Sequence, residues 1–200
     1  MVISENSTKS HESPTSMKKT ISLAALALVA ATPAAFAQVT ILGGGIAKEC
    51  FEAAKYEKLS PGEGEEICTR AIESEALNPS NRAATYTNRG VLRMRAGKYD
   101  KALSDYETAK KLKPEAGEVY LNEGAAYIFL KAYPEALEAL TTAIGLQSSD
   151  IHAAYYNRAI AKEKLGDIQG AYLDFQKAVE LKPEWDLAEW QLSRFEVTTN

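Results

Sequence analysis

A set of aromatic and small residues in this chain returns at an interval of 34 residues. Tyr86, Gly90, Ala102, Tyr106, Ala109 and Pro114 come back as Tyr120, Gly124, Ala136, Leu140, Ala143 and Ser148. After one inserted residue they come back again as Tyr155, Ala159, Ala171, Phe175, Ala178 and Pro183. Such self-similarity marks a solenoid, whose units are too thin to bury an apolar face alone and must stack on one another. A solenoid offers a long concave surface, and usually no catalytic pocket.

Each unit divides into two helical stretches. In the first, a helix over Asn81–Arg95 turns at Ala96-Gly97 and resumes over Tyr99–Leu112. Gly97 and Gly166 stand where a helix ends on a left-handed residue, and Pro134 stands at a helix start, where its missing N–H costs nothing. Pro114 and Pro183 close second helices, while Asp150 is a natural N-cap that absorbs the insertion. Small residues at Gly90, Gly124 and Ala159 let the two helices of a unit approach, and Tyr106, Leu140 and Phe175 fill the space beside them.

These residues resemble the tetratricopeptide repeat family, with its aromatic-x2-Leu-Gly-x2-Tyr, Ala-x3-Phe and closing-Pro signature. The match covers 81–183 in three units, at about 83–116, 117–150 and 152–185. Arg89, Glu123 and Arg158 replace the signature Leu, and Arg93 and Lys162 replace the signature Tyr in the outer units. The resemblance implies an all-α helix-hairpin solenoid. Residues 46–80 read as a degenerate helical hairpin ahead of it, and 184–200, with Trp185, Leu187, Trp190 and Leu192, as a capping helix and tail. One correlation runs through the units. Arg89 and Arg158 accompany Asp105 and Asp174, each 16 residues on, whereas the middle unit has Glu123 and Ala139. An ion pair between the helices of units one and three is expected, worth about 0–1 kcal/mol if exposed.

The front of the chain has a different character. Residues 17–37 have a basic start (Lys18, Lys19), an apolar run and Ala35-Phe36-Ala37, the layout of a secretory signal peptide cut after Ala37. The apolar run is too short to span a bilayer comfortably, so no membrane insertion is expected after cleavage. Residues 1–16 read as a polar extension upstream of the true start at Met17, or else as a long n-region; 38–45, with its glycine run, reads as a flexible leader. The expected destination is the periplasm or the exterior.

Export bears on the cysteines, because Cys50 and Cys68 are the chain's two and oxidising compartments favour their pairing. Helix-compatible stretches at Ile46–Lys58 and Glu65–Ala76 flank a loop at Leu59–Gly64, and the midpoint of the cysteines, residue 59, falls at the loop. In an antiparallel helix pair that placement sets the sulfurs opposite each other, so a disulfide is expected. Two buried thiols acting as small hydrophobes are the alternative.

Counting excludes several functions. The formal net charge of −4 lacks the basic stripe that a nucleic acid would demand. After the signal peptide the only histidine is His152, which leaves no set for nucleophile–histidine catalysis or for a multi-histidine metal site. No cofactor is implied. The expected protein is not an enzyme.

In the resembling family the first helix of each unit lines the concave face. Here that gives Thr87, Val91, Met94 and Arg95; Leu121, Ala125, Ile128 and Phe129; and Tyr156, Ile160, Glu163 and Lys164. An apolar middle with charged ends suits an extended or helical peptide, although Ile128, Phe129 and Ile160 fit equally well as interhelical core. Asn88, Asn122 and Asn157 recur at one register, and a carboxamide can satisfy a peptide N–H and C=O together. The row is similar to the asparagine ladder by which some tetratricopeptide solenoids grip peptide backbone. The alternative is that each amide bonds to a neighbouring helix. Carboxylate-clamp repeats put lysines at the start of these helices; Arg95 and Lys164 carry charge, but those lysines are absent. Two functions follow: a non-enzymatic exported scaffold binding a protein or extended peptide, or a structural subunit of an envelope assembly or homo-oligomer.

Overall fold

The computed structural model describes residues 19–23, 34–40 and 45–199. Among these residues nine helices run in order: α1 (Ile46–Tyr56), α2 (Pro61–Ser74), α3 (Pro79–Arg95), α4 (Tyr99–Leu112), α5 (Gly117–Phe129), α6 (Tyr133–Gly145), α7 (Ile151–Lys164), α8 (Ile168–Leu181) and α9 (Asp186–Ser193). Helices α1 to α8 form four hairpins, each stacked on the next, and α9 closes the end. The all-α solenoid read from the repeats is the architecture observed. The polar extension at 1–16 and most of the apolar run lie outside the described residues.

The repeat residues build this stack as their chemistry requires. A side chain at Gly90 would place its Cβ 2.3 Å from the Tyr106 ring, and one at Gly124 would sit 2.4 Å from Leu140. Ala159 holds the matching place opposite Phe175, and all these residues are buried in one apolar core. Gly97 and Gly166 end their helices in the left-handed region (φ 70° and 85°), as their positions predict. In the middle unit that corner falls to Lys131 (φ 60°), a residue that tolerates it less well.

The second helix of the first hairpin begins earlier than its sequence indicates. Pro61 to Gly64 are not loop but the first turn of α2. Ser60 is its N-cap, the Ser60 hydroxyl accepts from Glu63 N–H, and the Glu63 carboxylate accepts from Ser60 N–H in return. Gly64 is buried against Leu92 and Ala53. Cys50 and Cys68 are fully buried and joined by a disulfide. Gly45, expected within a flexible leader, is instead the N-cap of α1. The Glu75 carboxylate, from the end of α2, accepts from Ile46 N–H at 2.6 Å and Ala47 N–H at 2.9 Å, satisfying two orphan donors of α1.

The ion pairs are buried rather than exposed. Asp105 takes Arg89 in a bidentate pair (3.0 and 2.8 Å) and also Arg93 at 2.8 Å; Asp105 is 3% exposed. Asp174 takes Arg158 in the same way (2.7 and 2.8 Å) and Lys162 at 2.9 Å. The residues that displaced the signature Leu and Tyr therefore converge on one buried carboxylate per outer unit. Glu123 finds Lys110 of the preceding hairpin at 2.7 Å. Burial outweighs that contact and pushes the Glu123 carboxyl above its usual range.

A two-stranded antiparallel ribbon, absent from the sequence expectation, joins the two ends of the chain. Strand β1 (Lys19–Leu23) pairs with β2 (Phe195–Thr199), Lys19 opposite Thr199 and Leu23 opposite Phe195. Phe195 packs on Phe175 and Tyr172, both at 5.8 Å between ring centroids, which ties the ribbon to the α8 side of the cap.

Candidate functional site

Asn88, Asn122 and Asn157 sit mid-helix on α3, α5 and α7, one unit apart. A 34- or 35-residue repeat returns the same helical register each time, so the three amides align along the inner face. All three are fully buried, and what covers them is the chain's own segment 34–40, in extended conformation. Asn157 Oδ1 accepts from Ala35 N–H at 2.9 Å and its Nδ2 donates to Ala35 C=O. Asn122 treats Ala37 alike, at 2.8 and 2.7 Å, and Asn88 treats Val39 alike, at 3.0 and 2.8 Å.

The register follows from strand geometry. Alternate residues of an extended chain present their backbone groups to the same side, at about 3.3 Å per residue. Each repeat therefore meets the next-but-one residue, and residues 35, 37 and 39 form the rungs. The segment runs against the order of the repeats, its N-terminal rung on unit three and its C-terminal rung on unit one. Each carboxamide satisfies a whole residue's backbone, which leaves nothing orphaned under the segment at those positions.

The remaining candidates divide. Arg95 touches the segment: its guanidinium lies 5.7 Å from the Phe36 ring, and it also pairs with Glu57 at 3.1 Å. Val91, Leu121, Tyr156, Ile128 and Ile160 are buried, and all but Val91 belong to the apolar cluster that also takes in Ala34 and Ala37 of the segment. Phe129 is 38% exposed and stacks on Tyr99 at 5.3 Å. Lys164 is exposed. Neither joins the asparagine row. Glu163 is held by Arg194. At the α9 end, Trp185 packs on Tyr156 at 4.9 Å and on His152 at 5.2 Å, while Trp190 stays 48% exposed. Burial pushes the Tyr156 hydroxyl up to about 12. Among the described residues no group of three His, Cys, Asp or Glu is placed to hold a metal ion, and no helix is long and apolar enough to cross a membrane.

Sequence reasoning found the row and missed its occupant. Ala35-x-Ala37-x-Val39 carries the two-residue spacing, but Ala-Phe-Ala at that place also satisfies a cleavage-site pattern, and the two readings share the same residues.

The repeats have counterparts among known proteins. The tetratricopeptide repeat model matches residues 83–115, and a second model of that repeat matches residues 152–184. Residues 83–115 and 152–184 are thus tetratricopeptide repeats. It is 35% identical over 88 residues to the BBSome complex member BBS4 of Xenopus tropicalis, a match covering 44% of this chain and 17% of that protein. The chain thus spans under a fifth of that relative's length. Its fold is similar to the Arabidopsis OM64 tetratricopeptide domain, with TM-score 0.55 and 25% identity over 58% of this chain and 95% of the other. It is also similar to the first such domain of Spaghetti (RPAP3), bound there to the HSP90 peptide SRMEEVD: TM-score 0.55, 26% identity, covering 57% and 90% of the two chains.

Proposed function

We propose that this tetratricopeptide protein is an exported, non-enzymatic scaffold that holds an extended peptide or protein segment along its concave face. The observation that carries this reading is the asparagine row: three buried carboxamides, each engaging the N–H and C=O of one residue of an extended chain. A backbone-directed grip tolerates many sequences, because side chains contribute little to it. The RPAP3 domain, of like fold, holds a peptide, which supports a peptide or protein as partner here. Export after cleavage at Ala37 accords with the buried disulfide, a bond that persists in oxidising compartments.

The test compares wild type with the Asn88→Ala, Asn122→Ala, Asn157→Ala variant as bait in cell-envelope extract, once circular dichroism shows both to be helical. Partners retained by wild type and lost by the variant support the ladder as the binding site; equal retention rules it out. N-terminal sequencing of protein recovered from the envelope checks export, with Gln38 expected first. The alternative, a structural subunit of an envelope assembly, draws on Trp190 as an exposed aromatic of the cap. Light scattering of purified protein checks it: a stable oligomer without added partner favours that role.

A further inference from the structure

The peptide-binding reading, on which this inference rests, leaves open what the groove holds and in what pose. The geometry points to segment 34–40 as the groove's resident intramolecular ligand, and as the template for its partner in trans: an extended peptide running from unit three to unit one, with a small residue on the Asn122 rung.

Three observations carry this. First, the segment uses every asparagine of the row, two bonds to each, so it fills the backbone-reading apparatus completely. A trans peptide must displace it. Second, the rungs are unequal in space. Ala37 is 1% exposed and embedded in the main apolar core, whereas Ala35 and Val39 are only partly buried. A larger side chain on the middle rung would have to enter the packed core, which costs stability, so the site that ignores side chains elsewhere is selective there. Third, Thr40 lies only five residues before Gly45, the N-cap of α1. A tether this short holds the segment at a high effective concentration, in the millimolar range for short linkers. A free peptide therefore competes poorly while the segment stays seated.

The scissile bond of the expected signal peptide lies inside this segment. Hydrolysis of Ala37–Gln38 by a signal peptidase, with water adding across the bond, leaves a carboxylate on Ala37 and an amine on Gln38. It cuts between the second and third rungs. The Asn157 and Asn122 rungs then belong to a piece no longer covalently joined to α1, held only by its own contacts and by the β1–β2 pairing, while Val39 remains on Asn88. Processing thus opens two-thirds of the ladder to a partner of the same pose.

The test uses the full chain and a labelled synthetic peptide with the sequence of residues 34–40, Ala-Ala-Phe-Ala-Gln-Val-Thr. Wild type is compared with Ala37→Arg, which cannot seat its own segment, and with Ala37→Pro, which removes the N–H that donates to Asn122 and fixes the backbone φ there. Fluorescence anisotropy should show both variants binding the peptide at least about tenfold more tightly than wild type, since the intramolecular competitor is gone. The same peptide with Arg at its fourth residue should not bind. Amide exchange at Ala35 and Val39 should be slow in wild type and fast in both variants, and exchange at residue 37 slow in wild type and fast in Ala37→Arg.

Equal affinity for wild type and a folded Ala37→Pro overturns the resident-ligand role, yet leaves peptide binding itself standing. Binding of the Arg-bearing peptide overturns the small-residue rung. Slow exchange in wild type with no peptide binding by either folded variant overturns the trans template and the peptide-binding reading together. Fast exchange at all three amides in wild type overturns the resident role outright.

Discussion

Asn122 and Ala37, 85 residues apart, are joined by two hydrogen bonds through which one carboxamide meets both backbone polar groups of one residue. Both residues are essentially inaccessible to water, so neither the N–H nor the C=O of Ala37 has solvent as an alternative partner. Leaving a buried polar group unpaired costs about 1–3 kcal/mol. Asn122→Ala should therefore release the segment around Ala37 while the helices stay folded. Hydrogen exchange at Ala37 checks it: protection should drop in the variant. Asn122→Asp, which retains an acceptor and loses the donor, should fall between the two.

The disulfide supports the first hairpin, which among the described residues has a helical hairpin stacked on one side only. It spans 18 residues between α1 and α2, and its sulfurs are buried with Ala54 and Leu92. Closing a loop of that size stabilises by about 3 kcal/mol in the loop-entropy account. Cys50→Ser with Cys68→Ser should lower stability by about that amount, measured by urea unfolding. Reductant should lower wild type towards the variant and leave the variant unchanged.

Much of this architecture is legible because repeats constrain residues three times over. Gly90, Gly124 and Ala159 declare a close helix contact by recurring, and Arg89–Asp105 with Arg158–Asp174 declares an interhelical pair by being absent from the middle unit. What occurs once has no such redundancy. Glu75 capping α1 from the end of α2, and Ala35, Ala37 and Val39 lying across three units, depend on tertiary contacts 28 to 122 residues distant. No local pattern marks either. The first turn of α2 was hidden for another reason: Pro61, Gly62 and Gly64 read as loop, but Pro is favoured at the first helical position and the Ser60–Glu63 box outweighs the glycines.

Tyr106 fills its place against Gly90 with a hydroxyl that has no hydrogen-bond partner, and the residue is completely buried. The equivalent residue of the third unit is Phe175, which fills the matching space without one. Burial raises the Tyr106 pKa far above its usual value, next to the Asp105 charge. Removing an idle buried hydroxyl from a shape that stays filled is neutral to favourable. Tyr106→Phe should thus leave the melting temperature unchanged or raised, which differential scanning calorimetry measures; Tyr106→Ala should lower it sharply through the cavity it leaves.

His152 gives stability a pH dependence of known sign. Burial, with a smaller contribution from Lys182, lowers its pKa below the usual 6.5. The unfolded chain therefore takes up the proton at higher pH than the folded one does. The neutral ring's contribution is intact above about 6.5 and is lost as pH falls through the folded value. Urea midpoints collected between pH 5 and 8 should fall on the acid side, and His152→Gln should flatten that part of the curve.

Asp105 is the most consequential charge in the stack, because two guanidinium groups depend on it. Arg89 and Arg93 are only 13% and 14% exposed, both within 2.8 Å of its carboxylate. Asp105→Asn preserves shape and removes the charge, leaving half-buried Arg89 with no acidic partner and Arg93 with Glu65 alone, at 2.9 Å. Breaking a buried pair from one side costs about 3 kcal/mol or more, since the remaining charge cannot recover its hydration. Removing the whole set should cost far less. Arg89→Leu with Arg93→Tyr and Asp105→Ala restores the family's apolar pattern at two positions and copies Ala139 at the third. Glu65 keeps Lys98 as its partner at 2.8 Å when Arg93 is gone. The triple variant should unfold within about 1 kcal/mol of wild type, because apolar replacement of a buried ionic cluster is often neutral or stabilising. Urea unfolding at constant slope measures both. A single variant losing under about 1 kcal/mol would instead place the cluster with ordinary surface pairs.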